Sequence, residues 1–169
     1  MAKKARGADG GAVPTTAATV ALRSAGIPFT GHVYVHDSAV TDFGAEAARE
    51  LGVPPERVFK TLMVDTDAGL GIGIVSVRDQ LDVKALAAEL GAKRAAMADK
   101  ALAERKSGYV VGGISPVGQK TPLPTVLDGS ALEYETIFVS GGRRGFDLEL
   151  APADLLRAVS GRTAVIRRG

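Results

Sequence analysis

Cysteine is absent from all 169 residues of the chain. The protein can therefore form no disulfide, and it has no thiolate to act as a nucleophile or to bind a metal ion. Histidine is scarce, since His32 and His36 are the only two. They lie four residues apart on a predicted strand without further candidate ligands nearby, which disfavours a metal site. We expect the protein to use neither a metal ion nor a cofactor.

Long apolar runs and a strong charge imbalance are also missing. No apolar segment approaches the roughly 20 residues that cross a bilayer as a helix. None follows the basic residues Lys3, Lys4 and Arg6 either, so a secretory signal is not expected. The formal net charge of +2 is too small to identify a nucleic-acid partner by itself. These features favour a soluble, cytoplasmic protein with no membrane or DNA partner.

The length predicts one domain, because a chain of 169 residues builds one hydrophobic core but rarely two. Residues 1–13 are rich in glycine, alanine and lysine and show no periodicity. We interpret them as a disordered basic arm. The domain then covers residues 14–169.

Helix and strand signals alternate along this domain. Five helices are predicted to start at Thr15 or Thr16, Thr41 or Asp42, Asp82, Asp99 and Pro152. Seven segments have the pattern of strands: 29–35, 58–64, 70–77, 125–127, 136–140, 146–150 and 163–167. The second and third flank a five-residue loop that is typical of an antiparallel hairpin, so a purely parallel sheet is disfavoured. We expect an α+β fold in which one mixed sheet is flanked by helices.

Lys60 lies inside the apolar segment Val58-Phe59-Lys60-Thr61-Leu62. A lysine in an apolar strand loses hydration unless its ammonium faces a cleft, a carboxylate or a substrate anion. It can also extend its ammonium to solvent along the protein surface. The residue pattern alone leaves both interpretations open.

A glycine-rich turn, Gly112-Gly113-Ile114-Ser115-Pro116, follows an expected strand that starts at Tyr109. Because glycines lack side chains, backbone amides in such a turn can approach an oxyanion. A tight turn without a ligand is also compatible with the pattern. Ser115 does not fit a serine nucleophile, since that motif requires Gly-x-Ser-x-Gly between a strand and a helix.

A second glycine-rich loop, Gly141-Gly142-Arg143-Arg144-Gly145, precedes Asp147. Its two arginines could bind phosphate, and Asp147 could bind a positive group. A solvated turn with exposed charges is equally compatible with the pattern. The same two interpretations apply to the basic pair Lys93-Arg94.

Five motifs occur together and in a fixed order. They are Tyr34-x-His36-Asp37, Val58-Phe59-Lys60-Thr61-Leu62, Leu81-Asp82-x-Lys84, Gly108-Tyr109-x-x-Gly112-Gly113-Ile114-Ser115-Pro116-x-Gly118-Gln119-Lys120 and Ser140-Gly141-Gly142-Arg143-Arg144-Gly145. From about residue 14 to residue 156 the chain resembles the YbaK/EbsC family. Within it, the chain is most similar to the YbaK-type Cys-tRNA(Pro)/Cys-tRNA(Cys) deacylases, which are related to the editing domain of bacterial prolyl-tRNA synthetases. The resemblance implies a curved, largely antiparallel sheet flanked by helices.

The resemblance also implies an activity, trans-editing of mischarged tRNA. Prolyl-tRNA synthetase cannot fully exclude cysteine by size, and these deacylases strip the cysteine from Cys-tRNA(Pro). The substrate's own thiol is thought to attack its ester carbonyl and to leave as a cyclic thiolactone, so no protein nucleophile is required. Proximity can supply roughly 7–11 kcal/mol to such an intramolecular attack. The implied partners are the acceptor end of mischarged tRNA and, transiently, prolyl-tRNA synthetase.

The site residues follow from the same resemblance. The family's essential lysine corresponds to Lys60, and we expect the amides of Gly113, Ile114 and Ser115 to bind the oxyanion. The expected substrate-binding residues are Tyr34, Phe43, Thr61, Gly112, Pro116, Ser140 and Asp147, the last for the α-ammonium group. Contacts with tRNA are expected at Lys93, Arg94, Lys120, Arg143 and Arg144. One departure is Thr121-Pro122, where family members usually have a further basic residue; its absence would weaken contact with tRNA phosphate.

Two other functions stay open on the sequence. A related trans-editing enzyme would clear alanine or serine from tRNA, and a water molecule rather than a substrate thiol would then attack the ester. A catalytically silent module would only dock on tRNA or on prolyl-tRNA synthetase. The intact Lys60 in its apolar segment argues against the silent module.

Overall fold

The computed structural model describes residues 13–168. The predicted basic arm therefore lies outside the described residues except for Val13, which is buried in the core. The described elements follow the order α1 (Ala17–Ser24), β1 (Thr30–Val33), α2 (Phe43–Leu51), β2 (Phe59–Thr66), β3 (Gly69–Ser76), α3 (Val83–Glu89), β4 (Ala95–Met97), α4 (Lys100–Ser107), β5 (Thr125–Asp128), β6 (Ile137–Arg143), β7 (Phe146–Leu150), α5 (Pro152–Val159) and β8 (Arg162–Ala164). Short 3-10 helices cover Pro55–Arg57 and Gly129–Glu133.

Each helix begins at a residue whose chemistry favours a helix start. The side chains of Thr16, Asp42, Asp82 and Asp99 accept hydrogen bonds of 2.7 to 3.2 Å from amides in the first turns of α1 to α4. Pro152 occupies the first turn of α5. These bonds satisfy amides that have no partner inside the helix. The predicted helix starts are confirmed. They could be predicted from the sequence because a cap residue acts only on the amides of the adjacent helical turn.

The strands lie in two sheets. One sheet is antiparallel and has the order β1-β7-β6. The other has the order β4-β2-β3-β5-β8, in which β2 pairs antiparallel with β3 and β4 while β5 pairs parallel with β3 and β8. A parallel bridge between Val58 and Phe138 connects the two sheets. The α+β class with mixed, mainly antiparallel pairing is confirmed, although the strands divide into two sheets where one was expected.

Two local predictions differ from the structure. Strand β4 was not predicted, because three residues in an alanine-rich segment carry almost no strand signal. The strand expected at Tyr109 is wrong: Tyr109–Val111 forms an irregular turn. Its amides bond to side chains instead of to a neighbouring strand, since Tyr109 N donates to Ser107 Oγ and Val111 N donates to a Glu104 carboxylate oxygen.

Strand β2 is packed on both faces over most of its length. Phe59 and Met63 belong to the main core cluster, Val64 belongs to a second cluster beside α3, and Val58, immediately before the strand, belongs to a third cluster beside α2. A strand held in three clusters has little freedom to move. It therefore provides a rigid support for the polar side chains that interrupt its apolar pattern.

Candidate active site

A cavity of about 440 Å³ lies where the two sheets diverge. Beyond the Val58–Phe138 bridge, strand β6 no longer follows β2, and β4 joins the edge of β2 only from Val64 onward. The gap is lined by side chains from β2, β6 and β7, from the N-terminal turn of α2 and from the start of α4. A largely apolar cavity with a few convergent polar groups is typical of a small-molecule site.

One wall of the cavity is an open edge of strand β2. Val77 N donates to Val58 O on the β3 side, whereas Ala98 N donates to Met63 O on the other side. Because successive residues of a strand direct their backbone groups to opposite edges, Thr61 directs its amide and carbonyl into the gap. Its hydroxyl is buried and meets no hydrogen-bond partner among residues 13–168. Thr61 thus offers three polar groups to a ligand.

Lys60 lines the same cavity and is partly buried. It lies between Val58, in the cluster beside α2, and Leu62, which packs on the cluster beside α3. Within the described part of the chain, no carboxylate lies within 4.0 Å of its ammonium. A cation that lies between apolar side chains and has no carboxylate partner can attract an anionic group of a ligand.

The opposite wall carries a buried carboxylate. Asp147 on β7 pairs with Ser140 on β6, and both side chains line the cavity. Burial raises the pKa of Asp147 to about 7. Tyr34 lies nearby, and burial together with the charge of Asp147 raises its pKa above the ordinary value. Tyr34 and Phe43 add aromatic surface to the cavity.

The glycine-rich turn reaches the cavity with only part of its length. Gly112 and Ile114 line the cavity, but Gly113, Ser115 and Pro116 are buried outside its lining. The Gly113 amide already donates to Val110 O at 2.8 Å, and Ser115 is fully buried. The Gly113 amide is therefore already engaged and does not fit the expected set of three oxyanion-binding amides, whereas the amides of Ile114 and Ser115 meet no acceptor among residues 13–168.

Close packing explains why position 113 is glycine. A Cβ atom added there would lie 2.7 Å from the Cα atom of Arg143 and 2.9 Å from the amide of Arg144. The backbone of the β6–β7 turn thus presses directly on the first glycine-rich turn. The two glycine-rich loops, residues 112–116 and 141–145, therefore pack directly against each other. The sequence motifs alone do not indicate this contact.

The predicted tRNA-binding residues do not line the cavity. Arg144 binds the carbonyl of Val111, Arg143 is exposed beside it, and Lys120 lies near the C-terminal end of α4. The backbone amides of Lys93 and Arg94 donate to Asp67 in the β2–β3 turn. Since Asp67 follows Lys60 by seven residues, this pair lies roughly 23 Å away along the strand direction.

Several of the residues that line the cavity were not predicted from the sequence. The most informative is Lys100, an exposed residue at the start of α4. The Asp99 cap predicted that Lys100 lies in the first turn of a helix. Its position in the cavity depends on strand β4, which brings that turn to the edge of β2 and was not predicted.

The two histidines contact different carboxylates, His32 with Glu149 and His36 with Glu46. No group of three potential metal ligands occurs among residues 13–168.

Residues 37–158 match the family model of the aminoacyl-tRNA editing domain. The chain belongs to this family. It is 38% identical to EbsC of Enterococcus faecalis over 120 residues, which are 70% of this chain and 73% of EbsC. EbsC carries the provisional name Cys-tRNA(Pro)/Cys-tRNA(Cys) deacylase.

Two further proteins are similar to this chain, one in sequence and one in fold. The proline–tRNA ligase of Shouchella clausii is 36% identical over 102 residues, which are 60% of this chain but only 18% of the ligase. A crystal structure provisionally named a trans-editing enzyme for prolyl-tRNA synthetase shares the fold, with a TM-score of 0.82 and 24% identity. That match covers 93% of this chain and 100% of the other.

These similarities confirm the predicted family and the predicted class of activity, an aminoacyl-tRNA editing enzyme. They also agree with the fold, since the solved relative aligns over its full length. No helix among residues 13–168 combines the length and the apolar character needed to cross a membrane.

Proposed function

We propose that this editing enzyme removes cysteine from mischarged Cys-tRNA(Pro) by letting the substrate's own thiol cleave the ester. The observation that carries the proposal is Lys60, a partly buried cation in a ligand-sized cavity with no carboxylate within 4.0 Å among residues 13–168. The similarity to EbsC, whose provisional name gives this substrate, supports the choice of cysteine.

The cleavage needs no protein nucleophile. The cysteinyl sulfur attacks the carbonyl carbon of its own ester, so a C–S bond forms and the C–O bond to the terminal ribose breaks. The ribose oxygen takes up a proton to replace the one that the thiol lost, and the products are a thiolactone and free tRNA. A thiol with a pKa near ~8.5 is a few per cent ionised at neutral pH, and proximity supplies roughly 7–11 kcal/mol to the attack.

Lys60 and the Ile114 amide stabilise the negative charge that develops during this attack. Residues Lys60 and Ile114 both line the cavity, and electrostatic groups that are already in place need no reorganisation as charge develops. Asp147 binds the α-ammonium group of the aminoacyl moiety. Pairing with an ammonium favours the ionised carboxylate, which offsets the effect of burial on the pKa of Asp147.

The tRNA binds with its acceptor end at the cavity, and its phosphates contact basic side chains around it. Exposed arginines and lysines bind phosphates with little dependence on sequence. Arg143 and Lys120 are exposed, and Lys93 with Arg94 would contact a more distant part of the tRNA. We also propose a transient complex with prolyl-tRNA synthetase, because the proline–tRNA ligase of Shouchella clausii carries a similar segment within its own chain.

A deacylation panel tests the proposed substrate. Purified protein is incubated with tRNA(Pro) charged with cysteine, alanine or serine, and the remaining aminoacyl-tRNA is measured over time. We expect rapid loss of the cysteinyl ester alone. Clearance of the alanyl or seryl ester with the cysteinyl ester left intact would replace the thiol route with attack by water. Stability of all three esters would leave only a binding role.

A further inference from the structure

Both peptide groups of Val111 are held by charged side chains. Its amide donates to a carboxylate oxygen of Glu104 at 2.8 Å. Its carbonyl accepts two hydrogen bonds from the Arg144 guanidinium, at 2.9 Å from Nε and 2.6 Å from Nη2. Glu104 comes from helix α4, and Arg144 comes from the β6–β7 turn. Two elements that are distant in sequence therefore bind the backbone of the residue immediately before Gly112.

Arg144 is itself fixed by an aromatic ring that lines the cavity. Its guanidinium carbon lies 4.9 Å from the centroid of the Phe43 ring, a distance typical of a cation–π contact. The Phe43 ring contacts the His36 ring, with centroids 5.7 Å apart, and His36 Nδ1 lies 2.7 Å from a carboxylate oxygen of the buried Glu46. The contacts that support Arg144 thus extend to the buried face of helix α2.

Gly112 fills the remaining space beside this support. A Cβ atom at position 112 would lie 2.8 Å from both the Phe43 ring and Arg144 Nε. Its φ of +90° also lies in the region that favours glycine. Close packing and the positive φ therefore restrict the backbone at Gly112, two residues before Ile114, which lines the cavity.

We propose that Glu104 and Arg144, here named the loop clamp, are positioning residues that hold residues 111–114 so that the Ile114 amide meets the reacting ester. This proposal rests on the proposed function. It changes the expectation for Arg144, because two of its guanidinium nitrogens already bind the Val111 carbonyl. A guanidinium used in this way retains only part of its donor fork for a phosphate.

The competing explanation treats Arg144 solely as a phosphate contact. Lysine would then replace it well, since lysine also binds phosphate as a point charge. Lysine cannot reproduce the two hydrogen bonds from Nε and Nη2 or the planar stacking on Phe43. Glu104 provides an independent test because an acidic side chain repels phosphate, so its removal should not weaken tRNA binding.

The kinetic experiment compares Glu104→Ala, Glu104→Gln and Arg144→Lys with the wild-type protein under steady-state deacylation of Cys-tRNA(Pro). We expect Glu104→Ala and Arg144→Lys to lower kcat by at least about tenfold, since small misplacements of catalytic groups have large effects, while KM for tRNA stays within about twofold. Glu104→Gln keeps an acceptor oxygen for Val111 N and should restore most of kcat. Matched controls are Arg105→Lys on the same helix and Glu135→Ala, both exposed, and neither should change kcat.

A second measurement does not depend on the substrate. Hydrogen–deuterium exchange of the amides from Val110 to Ile114 should be faster in Glu104→Ala and Arg144→Lys than in the wild type, and close to the wild type in Glu104→Gln. Unchanged exchange in Glu104→Ala and Arg144→Lys would overturn the loop clamp, and so would full kcat in Arg144→Lys. If the wild type leaves Cys-tRNA(Pro) intact, the proposed substrate is wrong, and the exchange data still decide whether the clamp orders the turn.

Discussion

On strand β2, the Lys60 side chain reaches the cavity without a carboxylate within 4.0 Å among the described residues. Replacing it by alanine should lower kcat for Cys-tRNA(Pro) by about 10²–10³-fold, which is typical for the loss of one oxyanion-stabilising group. The free energy of unfolding should change by less than about 1 kcal/mol, because no ion pair is lost. Steady-state kinetics and urea denaturation measure the two effects.

Arg49→Ala is the matched control for Lys60→Ala, since it also removes a cation but lies exposed on α2. It should retain wild-type kcat. Wild-type kcat in Lys60→Ala would remove Lys60 from the mechanism.

The pH dependence of the free energy of unfolding tests the burial of the Asp147 carboxyl group. Its pKa is raised by burial to about 7 in the folded protein and is about 3.9 in an unfolded chain. Between these two values the folded state binds the extra proton, so the contribution of Asp147 to the free energy of unfolding falls as pH rises from about 4 to 7. Asp147→Asn should abolish this part of the pH dependence.

Urea denaturation at pH 5 and pH 8 measures the effect of Asp147. The loss of stability between pH 5 and pH 8 should be smaller in Asp147→Asn than in the wild type. The exposed Asp65→Asn variant should keep the wild-type difference. An equal difference in all three proteins would mean that Asp147 is ionised in the fold at pH 5.

At the scale of elements, the contact between the two glycine-rich loops is the feature most sensitive to added volume. Gly113→Ala places a Cβ atom against the backbone of Arg143, which cannot turn away as a side chain could. We expect a loss of about 1–3 kcal/mol in the free energy of unfolding, as for other overpacked sites, together with lower kcat.

Gly129→Ala is the control for Gly113→Ala. A Cβ atom at position 129 would meet nothing closer than 3.9 Å, so stability should stay within about 0.5 kcal/mol of the wild type. Thermal and urea unfolding of both variants measure the difference. Equal stability of Gly113→Ala and the wild type would contradict close packing of the two glycine-rich loops, because the loops would then move apart to admit the Cβ atom without a cost in free energy.

The elements differ in how well the sequence predicts them, and the reason is physical. Caps such as Asp82 and Asp99 act within four residues, so the sequence alone is enough to place the starts of α3 and α4. Strand β4 depends on pairing with β2, and the turn at Val111 depends on side chains of Glu104 and Arg144. Long-range partners of this kind leave no local pattern.

The candidate site shows the same limit. Lys60, Thr61, Ser140 and Asp147 were predicted from a family resemblance, and the structure brings all four to one cavity. The glycine content of the turn indicated that its amides can approach an oxyanion, but position 113 is glycine because the backbone of another loop packs against it. Glycine content could not distinguish room for a ligand from room for a neighbouring loop.

At the scale of the whole molecule, net charge is small and tRNA binding depends on where the cations lie. Arg143→Ala should weaken binding of tRNA(Pro) severalfold and lower the slope of log K against log salt concentration by about 1, as for one lost phosphate contact. The exposed Arg105→Ala serves as the control. Filter binding at several salt concentrations measures both slopes, and an unchanged slope in Arg143→Ala would exclude Arg143 from the interface.

The central claim concerns the whole enzyme and its substrate: the cavity hosts a reaction that the substrate performs on itself. The most direct test compares tRNA(Pro) charged with cysteine and with 2-aminobutyrate, in which a methyl group of similar size replaces the thiol. If the thiol is the nucleophile, cysteinyl-tRNA(Pro) is cleared and 2-aminobutyryl-tRNA(Pro) stays at the rate of spontaneous hydrolysis. Clearance of both at comparable rates would contradict the account.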